Sequence, residues 1–103
     1  MFLITGLGNI GKEYESTPHN VGFLFLDILR ERLSHIPSFQ VSEWINEEKL
    51  FSSDICKVKK DGELIILLQK PRTYMNRSGI AVRSVLNKFE VDGFVLVHDD
   101  LDI

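Results

Sequence analysis

An α/β domain, built as a mixed twisted sheet with flanking helices, is what this 103-residue sequence predicts. Three observations lead there. Short apolar runs suited to strands alternate with segments whose apolar residues recur at helical spacing. Asp61-Gly62 separates two strand-like runs and is a strong two-residue hairpin signal, so one strand pair is antiparallel. Polar clusters at 9–20, 70–78 and 98–102 each follow a predicted strand. Ligands of open α/β sheets bind beyond the carboxyl ends of strands, so three such clusters can converge on one site.

The elements follow in chain order. Phe2 to Thr5 is an apolar run closed by Gly6 and suits a buried strand. Gly6 to Pro18 is a polar, glycine-containing loop. Thr17 can cap the next helix and Pro18 fits its first position. Val21, Leu24, Phe25 and Ile28 form an i, i+3, i+4, i+7 stripe, and the helix should end before Pro37. Phe39 to Lys49 has no clear period. Leu50 to Val58 reads as a strand, and the Asp61-Gly62 turn leads it into Leu64 to Leu68, a central strand. Gln69 to Arg77 reads as a loop carrying Pro71. A second helix places Val82, Val85, Leu86 and Phe89 on one face. Asp92-Gly93 makes a turn, and Phe94 to Val97 is the last strand.

Length and composition set limits. One domain, 1–103, is expected rather than two. Hydrophobic residues are 44% and charged residues 26%, values that suit a packed core and argue against disorder. The single cysteine, Cys56, excludes an intrachain disulfide framework and suits a reducing compartment. The amino terminus lacks a basic segment, and no apolar run approaches the roughly 20 residues of a membrane span, so a cytoplasmic location is expected. A net charge of −3 argues mildly against an extensive nucleic-acid footprint but leaves room for a local basic patch.

Gly6-Leu7-Gly8-Asn9-Ile10-Gly11 matches a dinucleotide-binding pattern after a strand. In that fold, however, the helix begins within the glycine run and its amino end meets the pyrophosphate. Here Lys12 to Pro18 intervene, and no acidic residue follows a second strand at the required distance. A nucleotide-binding module using the Gly6–Gly11 loop stays open as an alternative, as does a simple tight turn. The reading favoured here is a catalytic loop presenting Asn9.

His19 falls in the predicted first helical turn, where the positive end of the helix dipole favours the neutral imidazole that a general base requires. Such a base needs an orienting carboxylate, and Asp99, at a strand end, is the best candidate. Asn9 and Asn76 can bind a carbonyl or a developing oxyanion without changing charge. Ordinary helix-end and turn duties are the bland alternatives for all of these residues. A metal site at His98, Asp99, Asp100 and Asp102 is disfavoured, because alternation along a strand puts residue 99 opposite 98, 100 and 102. Cys56 lies mid-strand away from any helix amino terminus, which argues against a reactive thiol. Trp44 suits packing better than base stacking.

Taken together, these motifs resemble the bacterial peptidyl-tRNA hydrolase family. The resemblance is carried by Gly6-Leu7-Gly8-Asn9-Ile10-Gly11, Tyr14, Thr17-Pro18-His19-Asn20 with Val21-Gly22, Lys70-Pro71-Arg72-Thr73-Tyr74-Met75-Asn76-Arg77-Ser78-Gly79, and His98-Asp99-Asp100-Leu101-Asp102. Two positions depart from the family pattern: Ile10 stands where proline is usual and Pro18 where arginine is usual.

The resemblance implies hydrolysis of the ester joining peptide to tRNA, which releases tRNA for reuse in translation. It implies no metal or organic cofactor. By position, His19 matches the catalytic base and Asp99 the carboxylate that orients it. Asn9 and Asn76 match the asparagines that hold substrate or water. Tyr14, Asn20, Tyr74 and Met75 fall within the substrate-binding motifs, Tyr14 toward the tRNA 3′ end and Met75 along the peptide groove. The family is implied to be monomeric, with peptidyl-tRNA as partner and no membrane. It also implies that the carboxyl-terminal half of the family fold is absent here. An inactive fragment is therefore a further alternative, and an unpaired sheet edge would invite self-association.

Overall fold

The computed structural model describes residues 1–8, 21–72 and 78–98. The element order is β1 (Phe2–Gly6), α1 (Val21–Ser34), β2 (Phe39–Val41), β3 (Ile45–Glu47), α2 (Glu48–Phe51), β4 (Ser53–Lys60), β5 (Glu63–Pro71), α3 (Ser78–Lys88) and β6 (Gly93–Val97). The strands form one mixed sheet of order β2-β4-β5-β1-β6, with β3 also on β4. β1 runs parallel to both β5 and β6, whereas β4 is antiparallel to β5, β2 and β3.

The Asp61-Gly62 hairpin forms as expected. Lys60 pairs with Glu63 across it, and both turn residues have positive φ, 53° and 80°. That is the backbone of a type I′ turn, whose twist matches the strands it joins. Alternation along the strands divides the core between the two sheet faces. Leu3, Ile55 and Leu67 pack with Val85 of α3, Phe51 of α2 and the partly buried Val82 and Phe89. On the opposite face Cys56, Val58 and Leu68 pack with Leu26 of α1, flanked by Leu29, Leu33 and Trp44.

Several local expectations are corrected. The stripe Val21, Leu24, Phe25 and Ile28 is exposed, at 42–58%. The face of α1 that packs is instead Gly22, Leu26, Leu29 and Leu33. The first turns of this helix are apolar nearly all round, so periodicity offers two stripes and close approach at Gly22 selects one. In α3, Ala81 is buried and Leu86 is 46% exposed, the reverse of the simple apolar pattern. Leu50 belongs to the short helix α2, and Ser52, with φ 49°, turns the chain into β4. The segment without clear period holds β2 and β3, each too short to show an alternation. β5 runs on through Pro71 rather than ending before Gln69. Proline is tolerated there because its pairing on the β1 side already ends at Gln69. The predicted Thr17 cap and Pro18 helix start lie outside the described residues.

Candidate active site

Parallel pairing brings three carboxyl strand ends to one edge of the sheet. Thr5 is opposite Gln69 on one side and Leu96 on the other, and Gly6 is opposite Val97. The amino end of α1 rests directly on this edge. A Cβ on Gly6 would lie 2.8 Å from the Gly22 carbonyl carbon and 2.9 Å from Leu26 Cδ1. A Cβ on Gly22 would lie 2.6 Å from the Val97 carbonyl oxygen and would also strike the Leu7 backbone. Two glycines thus let a helix approach the junction of β1 and β6 more closely than any side chain allows. The Leu7 N–H donates to the Val97 carbonyl at 2.8 Å and closes the junction.

The amino end of α3 is tied to the same edge by a buried polar chain. Thr5 Oγ1 donates to Gln69 Oε1 at 2.9 Å. Gln69 Nε2 donates to Ser53 Oγ and to the Ala81 carbonyl, each at 2.9 Å. Ser53 Oγ donates in turn to the Phe51 carbonyl at 2.7 Å. Thr5, Ser53 and Gln69 have no solvent exposure, so satisfied hydrogen bonds are what make their burial tolerable. Sequence reasoning missed this brace, because a glutamine after an aliphatic run resembles the start of a loop. It also gave Gly22 no structural role, although a glycine in a predicted first helical turn was an available signal.

The basic residues that open the second motif are engaged internally. Lys70 Nζ pairs with the Asp27 carboxylate on α1 and lies 4.2 Å from the Trp44 ring centroid and 5.8 Å from that of Phe23. Arg72 Nη1 is 3.1 Å from Asp54 Oδ2, and the Arg72 N–H donates to the Ser52 carbonyl at 2.7 Å. Trp44 packs in the core beside α1, in keeping with a packing role. Cys56 is fully buried and its Sγ donates to the Ser42 carbonyl at 3.3 Å. Burial pushes its thiol pKa up, outweighing the opposing influence of the Ser42 side-chain hydroxyl and the Arg30 charge, which keeps it an inert core group.

The eight residues singled out from the sequence, His19, Asp99, Asn9, Tyr14, Asn20, Tyr74, Met75 and Asn76, lie outside the described residues. The structure supplies the frame from which their segments depart: Leu7, Arg72 and His98 on the strand side, Val21 and Ser78 on the helix side. Among the described residues no cluster of three or more His, Cys, Asp or Glu could hold a metal ion, and the disfavoured cluster at 98–102 extends beyond them. Gly6, the first glycine of the dinucleotide-like pattern, is occupied by close packing against α1.

The family profile described as peptidyl-tRNA hydrolase matches residues 3–103. The chain belongs to the peptidyl-tRNA hydrolase family. It is 42% identical over 105 residues to the peptidyl-tRNA hydrolase of Lactiplantibacillus plantarum, with 100% of this chain and 51% of that protein covered. It is 39% identical over 103 residues to that of Campylobacter jejuni strain 81-176, with 100% and 50% covered. A crystal structure of a mutant peptidyl-tRNA hydrolase from Acinetobacter baumannii superposes with a TM-score of 0.80 at 32% identity, covering 100% of this chain and 49% of that one. The chain therefore spans about half the length of the family members it matches. Among the described residues no helix is long and apolar enough to cross a membrane.

Proposed function

We propose that this chain carries a peptidyl-tRNA ester-hydrolysis site at the carboxyl edge of its sheet, with His19 as general base and Asp99 as its orienting carboxylate. Asn9 and Asn76 hold the substrate carbonyl or the attacking water. Asn20, Tyr14, Tyr74 and Met75 line the approach of the tRNA 3′ end and the peptide. The substrate is peptidyl-tRNA in the cytoplasm, and the product is free tRNA returned to translation.

One observation carries this reading. Leu7, Gly22 and Val97 meet at the β1–β6 junction, and Gly79 shares a groove with Leu7. Each is within three residues of a different member of the set Asn9, His19, Asp99 and Asn76. Three residues of fully extended chain span at most about 11 Å. Convergence of these described neighbours on one corner supports the reading, because a base, its orienter and two amide groups must act on one substrate. Family membership supplies the reaction.

In the proposed step, neutral His19 takes a proton from water as the water attacks the ester carbonyl. Asp99 stabilises the imidazolium that results, and an asparagine amide donates to the developing oxyanion; collapse of the tetrahedral intermediate then breaks the ester C–O bond, and the imidazolium of His19 returns its proton to the departing tRNA oxygen. Hydrolysis of peptidyl-tRNA by the purified 103-residue protein should fall by about 10²–10⁴-fold in His19→Ala. Hydrolysis that survives this substitution overturns the assignment. Binding without hydrolysis by the unaltered chain would instead identify an inactive fragment.

A further inference from the structure

The buried hydrogen bonds of Thr5, Gln69 and Ser53 form one directed relay across β1, β5 and β4 to the first turns of α3. The carbonyls at its ends fix its direction. Backbone carbonyls only accept, so Gln69 turns Nε2 toward Ala81 and Oε1 toward Thr5, and Ser53 directs its proton to Phe51. Stability alone does not call for this relay. Leu67 and Val85 already pack between the same sheet face and α3, and replacing a set of buried hydrogen-bonded partners by apolar groups of the same shape is nearly neutral. What the polar groups add is a fixed distance and direction. Their places in the chain give that restraint a role. Thr5 stands where β1 ends and the Asn9 motif begins. Gln69 and Ala81 stand on either side of the Tyr74-Met75-Asn76 motif, one three residues before Arg72 and the other three residues after Ser78. One amide therefore joins both flanks of one motif, and the hydroxyl that orients this amide stands at the start of the other.

We propose that Thr5 and Gln69 are positioning residues for the peptidyl-tRNA reaction. Through the Ala81 carbonyl they lock the amino end of α3 to the carboxyl ends of β1 and β5, and so fix where the segments leading to Asn9 and Asn76 leave the frame. Neither residue touches substrate, because both are fully buried. Without the relay, apolar contacts alone hold the first turn of α3 against β5, and such contacts tolerate sliding. A shift of about 1 Å at a group that holds substrate can lower the rate by about 100-fold. The proposal rests on the reading of Asn9 and Asn76 given above and is independent of His19.

The test measures two quantities on the 103-residue protein. One is kcat/KM for peptidyl-tRNA. The other is Kd for a peptidyl-adenosine in which a 3′-amide replaces the scissile ester. Gln69→Met keeps the length of the side chain and should lose about tenfold or more in both. Thr5→Val should lose a similar factor, and Thr5→Ser, which keeps the hydroxyl, should recover it. The double variant Thr5→Val with Gln69→Met leaves no member of the relay unpaired, because Ser53 still donates to the Phe51 carbonyl and Ser84 Oγ still donates to that of Ala81 at 2.6 Å. Its denaturant midpoint should return close to that of the unaltered protein while both functional losses persist. A double variant that recovers function together with stability overturns the proposal, as does Gln69→Met with kcat/KM and Kd unchanged. Should circular dichroism show the double variant unfolded, the Thr5 pair decides, and Thr5→Ser no better than Thr5→Val overturns the proposal. If the unaltered chain binds the amide without hydrolysing peptidyl-tRNA, the Kd values alone decide; a chain that does neither overturns the proposal. Failure of the His19 assignment is read separately, as hydrolysis that survives His19→Ala.

Discussion

Gly22 and Cys56 show how much can depend on what a side chain lacks or hides. Gly22 has no Cβ to hold the first turn of α1 away from Leu7 and Val97. The atoms a methyl group would strike are backbone atoms of Leu7, just after β1, and of Val97 at the end of β6, which cannot rotate aside. Gly22→Ala is therefore expected to destabilise the protein by about 1–3 kcal/mol despite alanine's better helix propensity, measured as a lower denaturant midpoint. Gly79→Ala is the control, since nothing lies within 4 Å of its added Cβ. Cys56 gives a pH prediction. Burial raises its pKa in the folded state, so above the unfolded value, about 8.5, the unfolded chain loses a proton that the folded chain retains. Its contribution to stability is full below that pH and is lost as pH rises toward the folded pKa. Denaturation curves between pH 7 and 10 should fall less steeply for Cys56→Ala than for the unaltered protein. Native Cys56 should also resist thiol reagents until the chain unfolds.

The helices show where sequence patterning succeeds and where it cannot choose. The existence of α1 and α3 was legible from their apolar spacing, but the buried face of α1 was not. Val21-Gly22-Phe23-Leu24-Phe25-Leu26 offers apolar groups in nearly every direction. The face was chosen by a tertiary contact, Gly6 against Gly22, and by ion pairs along the helix flank. Lys70 reaches Asp27 while lying over Trp44, and Arg30 contacts both the Ser42 carbonyl at 2.8 Å and Glu43 at 3.1 Å. Together these fasten α1 to the ends of β2 and β5. Lys70→Met keeps most of the stem but removes the charge, and should cost about 1 kcal/mol through loss of the pairing and the cation–π contact. Added salt should narrow the gap between the two proteins in thermal melts, because part of that contribution is a screened ion pair. A similar size of effect at all salt concentrations would show that packing alone holds the helix.

Taken together, the strands were the most legible part of the fold, and the short connections the least. β1, the β4–β5 hairpin and β6 follow from apolar runs and one turn signal. β2, β3 and α2 are too short to carry a period and form because β4 provides a template. The candidate site was legible as motifs in a fixed order rather than as geometry. The spacing of His19, Asn76 and Asp99 along the chain says nothing of distance until parallel pairing of β1 with β5 and β6 brings their neighbours to one corner. The Gln69 brace, which holds that corner from below, left no mark that a sequence pattern could register.

The Asp61-Gly62 turn has a consequence in time as well as in space. Its hairpin joins residues adjacent in sequence, whereas β1 must find β5 and β6 across most of the chain. Local contacts cost little loop entropy, so the hairpin can form early and offer β5 as the surface on which the first-made strand later docks. A chain leaving the ribosome would hold β1 unpaired until β5 has emerged. Gly62→Ala places a side chain at φ 80° and should cost about 1–2 kcal/mol. If the turn is the nucleus, stopped-flow kinetics will show that loss almost entirely as slower folding, with unfolding nearly unchanged. A loss expressed as faster unfolding would place the rate-limiting event instead at the long-range meeting of β1 with its two neighbours.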